Sequence, residues 1–308
     1  MTATDDVSTV LETIAELAPI WLPGSAVDRE RRTVEVGWGR GALQMSAVVD
    51  LGEIVDRCRQ LPKRLWPERI EQWLRAVVAE GELATVEHRY GDVAERQRTL
   101  LVQRGWSART AGPIADALLP FGDHFEVVIF VRTGAELRRL TIVRRTMLGL
   151  GDPGTPSPVQ LTLDEIADLV PYEHNGFSVL QREGDPLISM ALVDRERLLP
   201  AASSGPGLLV GVPRLSMVGY CPAGAGQECA DALARWIAVN YQDAPDQCSP
   251  DLFWLVTDHL AQVPVTLAEP PVAVLPEQLL RSRRRFWFWR RFWFWRASGS
   301  CVVDQRDG

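Results

Sequence analysis

The sequence predicts an α+β fold, with a helix-rich N-terminal half and a mixed, mainly antiparallel sheet with helices in the C-terminal half. Three observations predict it. Apolar residues recur at helical spacing through much of the first half. Short β-rich runs bounded by turn residues cluster after residue 125. Helices and strands come in runs rather than in strict alternation, which argues against a doubly wound parallel sheet.

The elements follow in order. Residues 5–18 predict a helix, with Asp5 and Asp6 as N-cap candidates and Val10, Leu11, Ile14 and Leu17 on one face, ended by Pro19. Thr33–Val36 and Leu43–Val49 predict a hairpin around Gly37-Trp-Gly-Arg-Gly41. Helices are expected over Ile54–Leu61 and Pro67–Val78, the second with Ile70, Trp73, Leu74 and Val77 facing the core. Further helices are expected over 93–103 and 110–118. Phe125–Arg132 and Leu137–Arg144 predict a hairpin through Thr133-Gly-Ala135. The Gly- and Pro-rich run 149–158 predicts a linker, and Thr162-Leu-Asp-Glu165 has capping-box spacing for a helix reaching Leu169. Strands are expected at Phe177–Leu180, Leu187–Val193, Leu208–Val212 and Leu215–Tyr220. A helix is expected over Cys229–Tyr241, another from Ser249-Pro250 to near His259, and extended chain over 264–276. The expected division is a domain over 1–148, a second over 159–280, and a tail over 281–308.

Composition narrows the class. The chain has 308 residues, 46% hydrophobic and 24% charged, which is a globular balance rather than a disordered or fibrous one. Nothing in it approaches the ~20 consecutive apolar residues of a membrane-spanning helix. The acidic start, Met1–Asp6, lacks the basic and apolar regions of a secretory signal. The five cysteines (Cys58, Cys221, Cys229, Cys248, Cys301) are odd in number and scattered, so no disulfide framework is expected. Cytoplasmic residence, with peripheral membrane attachment as an addition, is the expectation. Lys63 is the one lysine, and Arg supplies the other basic residues.

Catalytic signatures are weak. Gly149-Leu-Gly151-Asp-Pro-Gly154 matches a dinucleotide-binding spacing, but Pro153, Pro156 and Pro158 block the helix that motif needs. No phosphate-loop or nucleophile-elbow motif occurs. Cys221, Cys229, Cys248 and His259 fall within 39 residues, yet without a CxxC knuckle, so neither metal nor cofactor is expected. Their convergence is left open. Tyr172-Glu-His-Asn-Gly-Phe177 combines titratable groups with a turn. With Cys221 it defines a candidate pocket, the basis of an alternative reading as an enzyme of unrecognised class.

The C-terminus stands apart. Residues 281–308 hold eight Arg against Asp304 and Asp307, a charge of +6, which leaves −13 on the first 280 residues. Within it Arg284-Arg285-Phe-Trp287-Phe-Trp289 repeats without change as Arg290-Arg291-Phe-Trp293-Phe-Trp295. Trp and Phe suit a bilayer interface and Arg suits anionic headgroups. The same strip could dock on a protein partner through cation–π contacts, or be a tolerated repeat. Nucleic acid is not expected as a partner.

Several stretches resemble the uncharacterised YtpQ-like family of bacterial proteins in its actinobacterial form. They are Val49-Asp-Leu-Gly-Glu-Ile-Val-Asp-Arg-Cys58 with Trp66-Pro-Glu, Gly207-Leu-Leu-Val-Gly-Val-Pro-Arg214, and Ser249-Pro-Asp-Leu-Phe-Trp254. The resemblance covers about 50–255 in patches and implies no activity or catalytic residue. Where the family shows an Arg-Asp turn after the proline, this chain has Arg214-Leu-Ser.

The leading expectation is a non-catalytic binding protein whose Arg/Trp/Phe tail attaches it to an anionic membrane surface or a protein partner. Arg284, Arg285, Trp287, Trp289, Arg290, Arg291, Trp293 and Trp295 are its candidate binding residues. A third reading makes the body a recognition domain for a modified tail.

Overall fold

The computed structural model describes residues 3–279, except for 39–44, 90–91, 108–111, 117, 134–135, 151, 153, 200–205, 257–258, 267–269 and 278. The fold is α+β, and every strand pairing is antiparallel. The chain separates into two compact units between Glu165 and Ile166.

In the first unit, helix α1 (Ala3–Trp21) buries Val10, Ile14 and Ala18 on one face. It passes through Pro19 instead of ending there, and the Leu22 amide still reaches the Ala18 carbonyl at 2.7 Å. A three-stranded sheet follows, β1 (Ala26–Asp28), β2 (Thr33–Trp38) and β3 (Met45–Asp50), in that order. The tip of the expected glycine turn lies outside the described residues. Helices α2 (Gly52–Arg59) and α3 (Trp66–Arg89) complete this layer. The α3 helix runs eleven residues past the expected end at Val78. Its buried seam continues on Gly81, Ala84 and Glu87. Gly81 is required there, because a Cβ would lie 2.9 Å from the Cβ of Trp38.

A second sheet holds β4 (Gln97–Gln103), β5 (Leu118–Phe121), β6 (Phe125–Thr133) and β7 (Glu136–Arg139), with β6 central. Two expectations are corrected here. Residues 93–103 form one 3-10 turn (Ala94–Arg96) and then β4, not a helix. Thr99-Leu-Leu-Val102 has both patterns, and pairing with β6 in the register Leu101↔Val127 decides it. The described part of 110–118 is not helical either. Arg57 Nη1 donates to the carbonyls of Gly112 (3.2 Å) and Pro113 (3.0 Å), and Glu53 Oε1 accepts from the Ala115 amide (2.8 Å). Side chains of α2 therefore take the backbone groups that a helix would have used. The strand expected over 137–144 stops at Arg139, because the Thr141 hydroxyl accepts from the Arg144 amide and caps helix α4 (Ile142–Met147).

Helix α5 (Pro158–Glu165) closes the first compact unit. Ser157, not Thr162, stands at its start, with the Gln160 amide 3.4 Å from Ser157 Oγ. Thr162 is buried mid-helix and accepts from the Thr99 amide of β4 at 2.8 Å. Glu165 bridges Arg98 (2.5 Å) and Arg132 (2.6 Å), strands β4 and β6. Burial opposes its charge, but the hydrogen bonds from Arg98 and Arg132 hold its carboxyl below the usual range. Replacing Thr162 with valine strands the buried Thr99 N–H and is expected to cost about 2 kcal/mol. Thr162→Ser keeps the acceptor. Urea midpoints separated in that order check this.

The second unit is built on a six-stranded sheet in the order β13-β12-β10-β11-β9-β8. Its strands are β8 (Tyr172–His174), β9 (Phe177–Gln181), β10 (Leu208–Arg214), β11 (Met217–Pro222), β12 (Leu252–Val256) and β13 (His259–Val263). Short helix α6 (Arg195–Leu198) precedes β10, and helix α7 (Gln227–Gln242) covers one face. The α7 residues Ala230, Leu233, Ala234 and Ile237 pack with Phe177, Val179, Leu209, Cys221 and Leu252. A two-stranded ladder, β14 (Val265–Thr266) and β15 (Val272–Ala273), lies within the expected extended stretch.

Two further expectations fail in this unit. Residues 187–193 are not a strand, since Pro186–Leu192 forms a buried 3-10 helix whose start is capped by Asp185 Oδ1 on the Leu187 amide. The helix expected from Ser249 is instead the β12–β13 hairpin. The Ser249 amide donates to the Val212 carbonyl, so the chain enters the sheet at once, and Leu252 pairs with Gly211. Among the described residues, no helix is long and apolar enough to cross a membrane.

Candidate functional site

The site grows out of one tight turn. His174 pairs with Phe177 across Asn175 and Gly176, a two-residue hairpin loop. Both loop residues have positive φ (+50° and +86°), which Asn and Gly tolerate best. Phe177 then starts β9. In the neighbouring strand β11, Tyr220 pairs with Ser178, so the next residue, Cys221, comes opposite Phe177. The short connection Pro222–Gly226 turns the chain into α7, which places Cys229 in the first turn of that helix.

The turn, the strand end and the helix start therefore meet. Cys229 Sγ lies 3.2 Å from the Gly176 carbonyl and donates to it as a thiol. Cys221 is buried at 1% exposure and Cys229 is half-buried. The two side chains are hydrogen-bonded to each other, and this bond sets their acidities. Donating to the Cys229 sulfur, together with burial, pushes the Cys221 thiol far up. Receiving that bond holds Cys229 below the usual thiol range, against burial and the charge of Glu173. Cys58 has no such partner among the described residues, and burial pushes it up to about 11.

Beside the thiols runs an open groove of about 490 Å³ between the turn and α7. Its walls are His174 and Asn175 on one side and Arg235, Trp236, Val239 and Asn240 on the other. Phe177 joins the two walls, edge-on to His174 at 5.2 Å and to Trp236 at 5.6 Å. The Arg235 guanidinium is exposed and has no partner among the described residues. On the turn side, Ser178 Oγ donates to Glu173 (2.8 Å), and burial pushes the Tyr220 hydroxyl up.

The structure thus places Cys221 opposite Phe177 and Cys229 beside Gly176, while the groove itself is lined by His174 and Asn175 of the turn and not by either cysteine. It does not gather Cys248 and His259 with them. The Cys248 amide bonds to the Pro213 carbonyl near the far end of β10, and His259 is exposed at the start of β13. Among the described residues no group of three or more His, Cys, Asp or Glu could hold a metal. The tail residues Arg284, Arg285, Trp287, Trp289, Arg290, Arg291, Trp293 and Trp295 lie outside the described residues.

Sequence reasoning missed two features of the first unit. Arg144 is buried between two acids of α3, its Nε 3.4 Å from Glu80 and 3.6 Å from Glu87. Burial pushes both carboxyls up despite the Arg144 charge. The available signal was Glu87 itself, which falls on the same helical face as Ile70, Trp73, Val77 and Ala84. The other feature is a groove of about 480 Å³ lined by Arg29, Arg32 and Arg59 over Val7 and Leu11. Arg32 ends the β1–β2 turn at φ +54°, and no sequence motif marks it.

Comparison of the chain with protein-family models, with curated proteins and with solved structures finds no match.

Proposed function

We propose that this protein is a non-catalytic binding protein that its Arg/Trp/Phe segment, residues 284–295, attaches to an anionic membrane surface. The observation that carries this reading is the unchanged repeat of Arg-Arg-Phe-Trp-Phe-Trp beside a body of opposite charge. Arg pairs with lipid phosphate and carboxylate, and Trp partitions to the headgroup level. The tail contributes about 1 kcal/mol per Arg near an anionic surface, so eight of them outweigh the screened repulsion of the body. The groove of the second unit supports the binding half of the proposal, because it presents Arg235 and Trp236, residue types enriched at binding hot spots.

The test is co-sedimentation with vesicles containing anionic lipid. Full-length protein is expected in the pellet and a 1–280 truncation in the supernatant. Equal partitioning of the two would end the membrane reading. Kinship with the YtpQ-like family stays a proposal on the three sequence stretches alone. They fall in β3, α2 and the start of α3, in β10, and at the entry to β12.

A second reading has a specific observation behind it. The convergence of 172–177 with Cys221 and Cys229 favours thiol chemistry at that corner.

A further inference from the structure

We propose that Cys221 and Cys229 form a redox-active dithiol, a modification site that closes to an intramolecular disulfide at the corner between β11 and α7. The inference is independent of the membrane reading and uses only the second unit.

Placement is the first argument. Seven residues separate them, running from the end of β11 through a short turn into the first turn of α7, and both cysteines belong to one apolar cluster. Cys221 comes opposite Phe177 in the sheet, and Cys229 Sγ lies 3.2 Å from the carbonyl of Gly176, the residue before it. Here one is sealed and the other reaches the surface beside the groove.

The second argument is the division of labour. The attacking thiol of a disulfide exchange has to be reachable and able to ionise, and the resolving thiol has to be adjacent. Cys229 meets the first need. It sits in the first turn of a sixteen-residue helix, where the backbone amides and the helix dipole favour a negative charge. Cys221 shares the apolar cluster against which Cys229 packs. Cys221 meets the second need, being unreachable except from Cys229.

The reaction takes a small-molecule disulfide, such as oxidised glutathione, as its co-reactant. The Cys229 thiolate attacks one sulfur of that disulfide, its S–S bond breaks, and one small thiolate leaves with the Cys229 proton. The Cys221 thiol then gives its proton to the second leaving thiolate as its sulfur attacks Cys229 in the mixed disulfide. Two protein thiols are oxidised by two electrons, one S–S bond forms in the protein, and one disulfide is reduced to two thiols. Closure also removes the S–H donor to Gly176, the turn residue between the groove's Asn175 and Phe177.

The test uses reduced full-length protein. It is exposed to oxidised glutathione, quenched in acid, alkylated and mapped by mass spectrometry. The expected result is a linked peptide pair containing Cys221 and Cys229, lost again on treatment with dithiothreitol. Before oxidation, iodoacetamide is expected to label Cys229 at least about tenfold faster than Cys221 or Cys58. Cys221→Ser is expected to stop at a glutathione adduct on Cys229, and Cys229→Ser to leave Cys221 unmodified. Circular dichroism of both variants confirms the fold, and the wild-type map stands without them. Full alkylation of both thiols after oxidation, or an adduct on wild-type Cys229 that never resolves onto Cys221, would overturn the proposal.

Discussion

Replacing Gly219 with valine is expected to destabilise the second unit by about 3 kcal/mol, the upper part of the range for overpacking a filled interior. Gly219 of β11 sits directly opposite Gly211 of β10. Together they make a flat patch under α7. A Cβ at Gly219 would lie 2.5 Å from Cζ3 of Trp236 and 2.9 Å from Cδ1 of Leu233, and one at Gly211 would strike Ile237. The helix therefore rests on these strands only because both positions lack a side chain. The consequence reaches the site, since Trp236 is one wall of the groove. Gly219→Ala is expected to cost less, because the tip of the Trp236 ring can swing away. Gly219→Ala combined with Trp236→Leu is expected to recover part of the loss, a non-additive pair. Hydrogen exchange of β10 and β11 reads the effect in the right unit.

The second large effect belongs to Arg144. Arg144→Met leaves Glu80 and Glu87 facing each other in the interior with no cation between them, and a loss of about 3–5 kcal/mol is expected at neutral pH. Glu87→Gln removes one of two acids that repel each other and is expected to be neutral or stabilising. The pH dependence follows from the direction of the shifts. Burial raises the carboxyls of Glu53, Glu80, Glu87 and Asp116 above their unfolded values. Between the unfolded and the folded values the native state binds more protons, so stability falls as pH rises through that window. Glu165 is lowered and acts oppositely, its contribution being lost as pH falls below the unfolded carboxylate range. The first unit is therefore expected to be more stable at about pH 5.5 than at about pH 8, and Arg144→Met to steepen that difference. Urea midpoints at the two pH values check both the sign and the change in slope.

Much of the architecture was legible from periodicity, and its failures share one cause. The α7 face was readable because Ala230, Leu233, Ala234 and Ile237 repeat over a long enough span to separate helix from strand. Residues 99–102, 187–192 and 252–256 are short apolar runs that fit helix and strand equally well. What chose between them lay outside the runs: pairing with β6 for the first, the flanking Asp185 cap and Pro186 for the second, pairing with β10 for the third. The Asn175-Gly176 turn was readable from its two residues alone. Cys229 was not, because its spacing from Cys221 matches no knuckle or redox motif. What joins the two is the geometry of a strand–turn–helix corner, and the nearest signal was the short Pro222–Gly226 connection. The Glu80–Arg144–Glu87 cluster was hidden for a similar reason, since Arg144 arrives from α4, 57 residues beyond Glu87 in the sequence, and only Glu87 betrays the site by its place on the buried face.

The most direct measurement of the central claim is vesicle partitioning of the full-length chain on anionic and on zwitterionic lipid, at low and high salt, beside residues 1–280. The full-length chain is expected to bind anionic vesicles, less tightly as salt screens the charges, and the truncation is expected not to bind. Binding that ignores lipid charge, or that survives loss of residues 281–308, would contradict it.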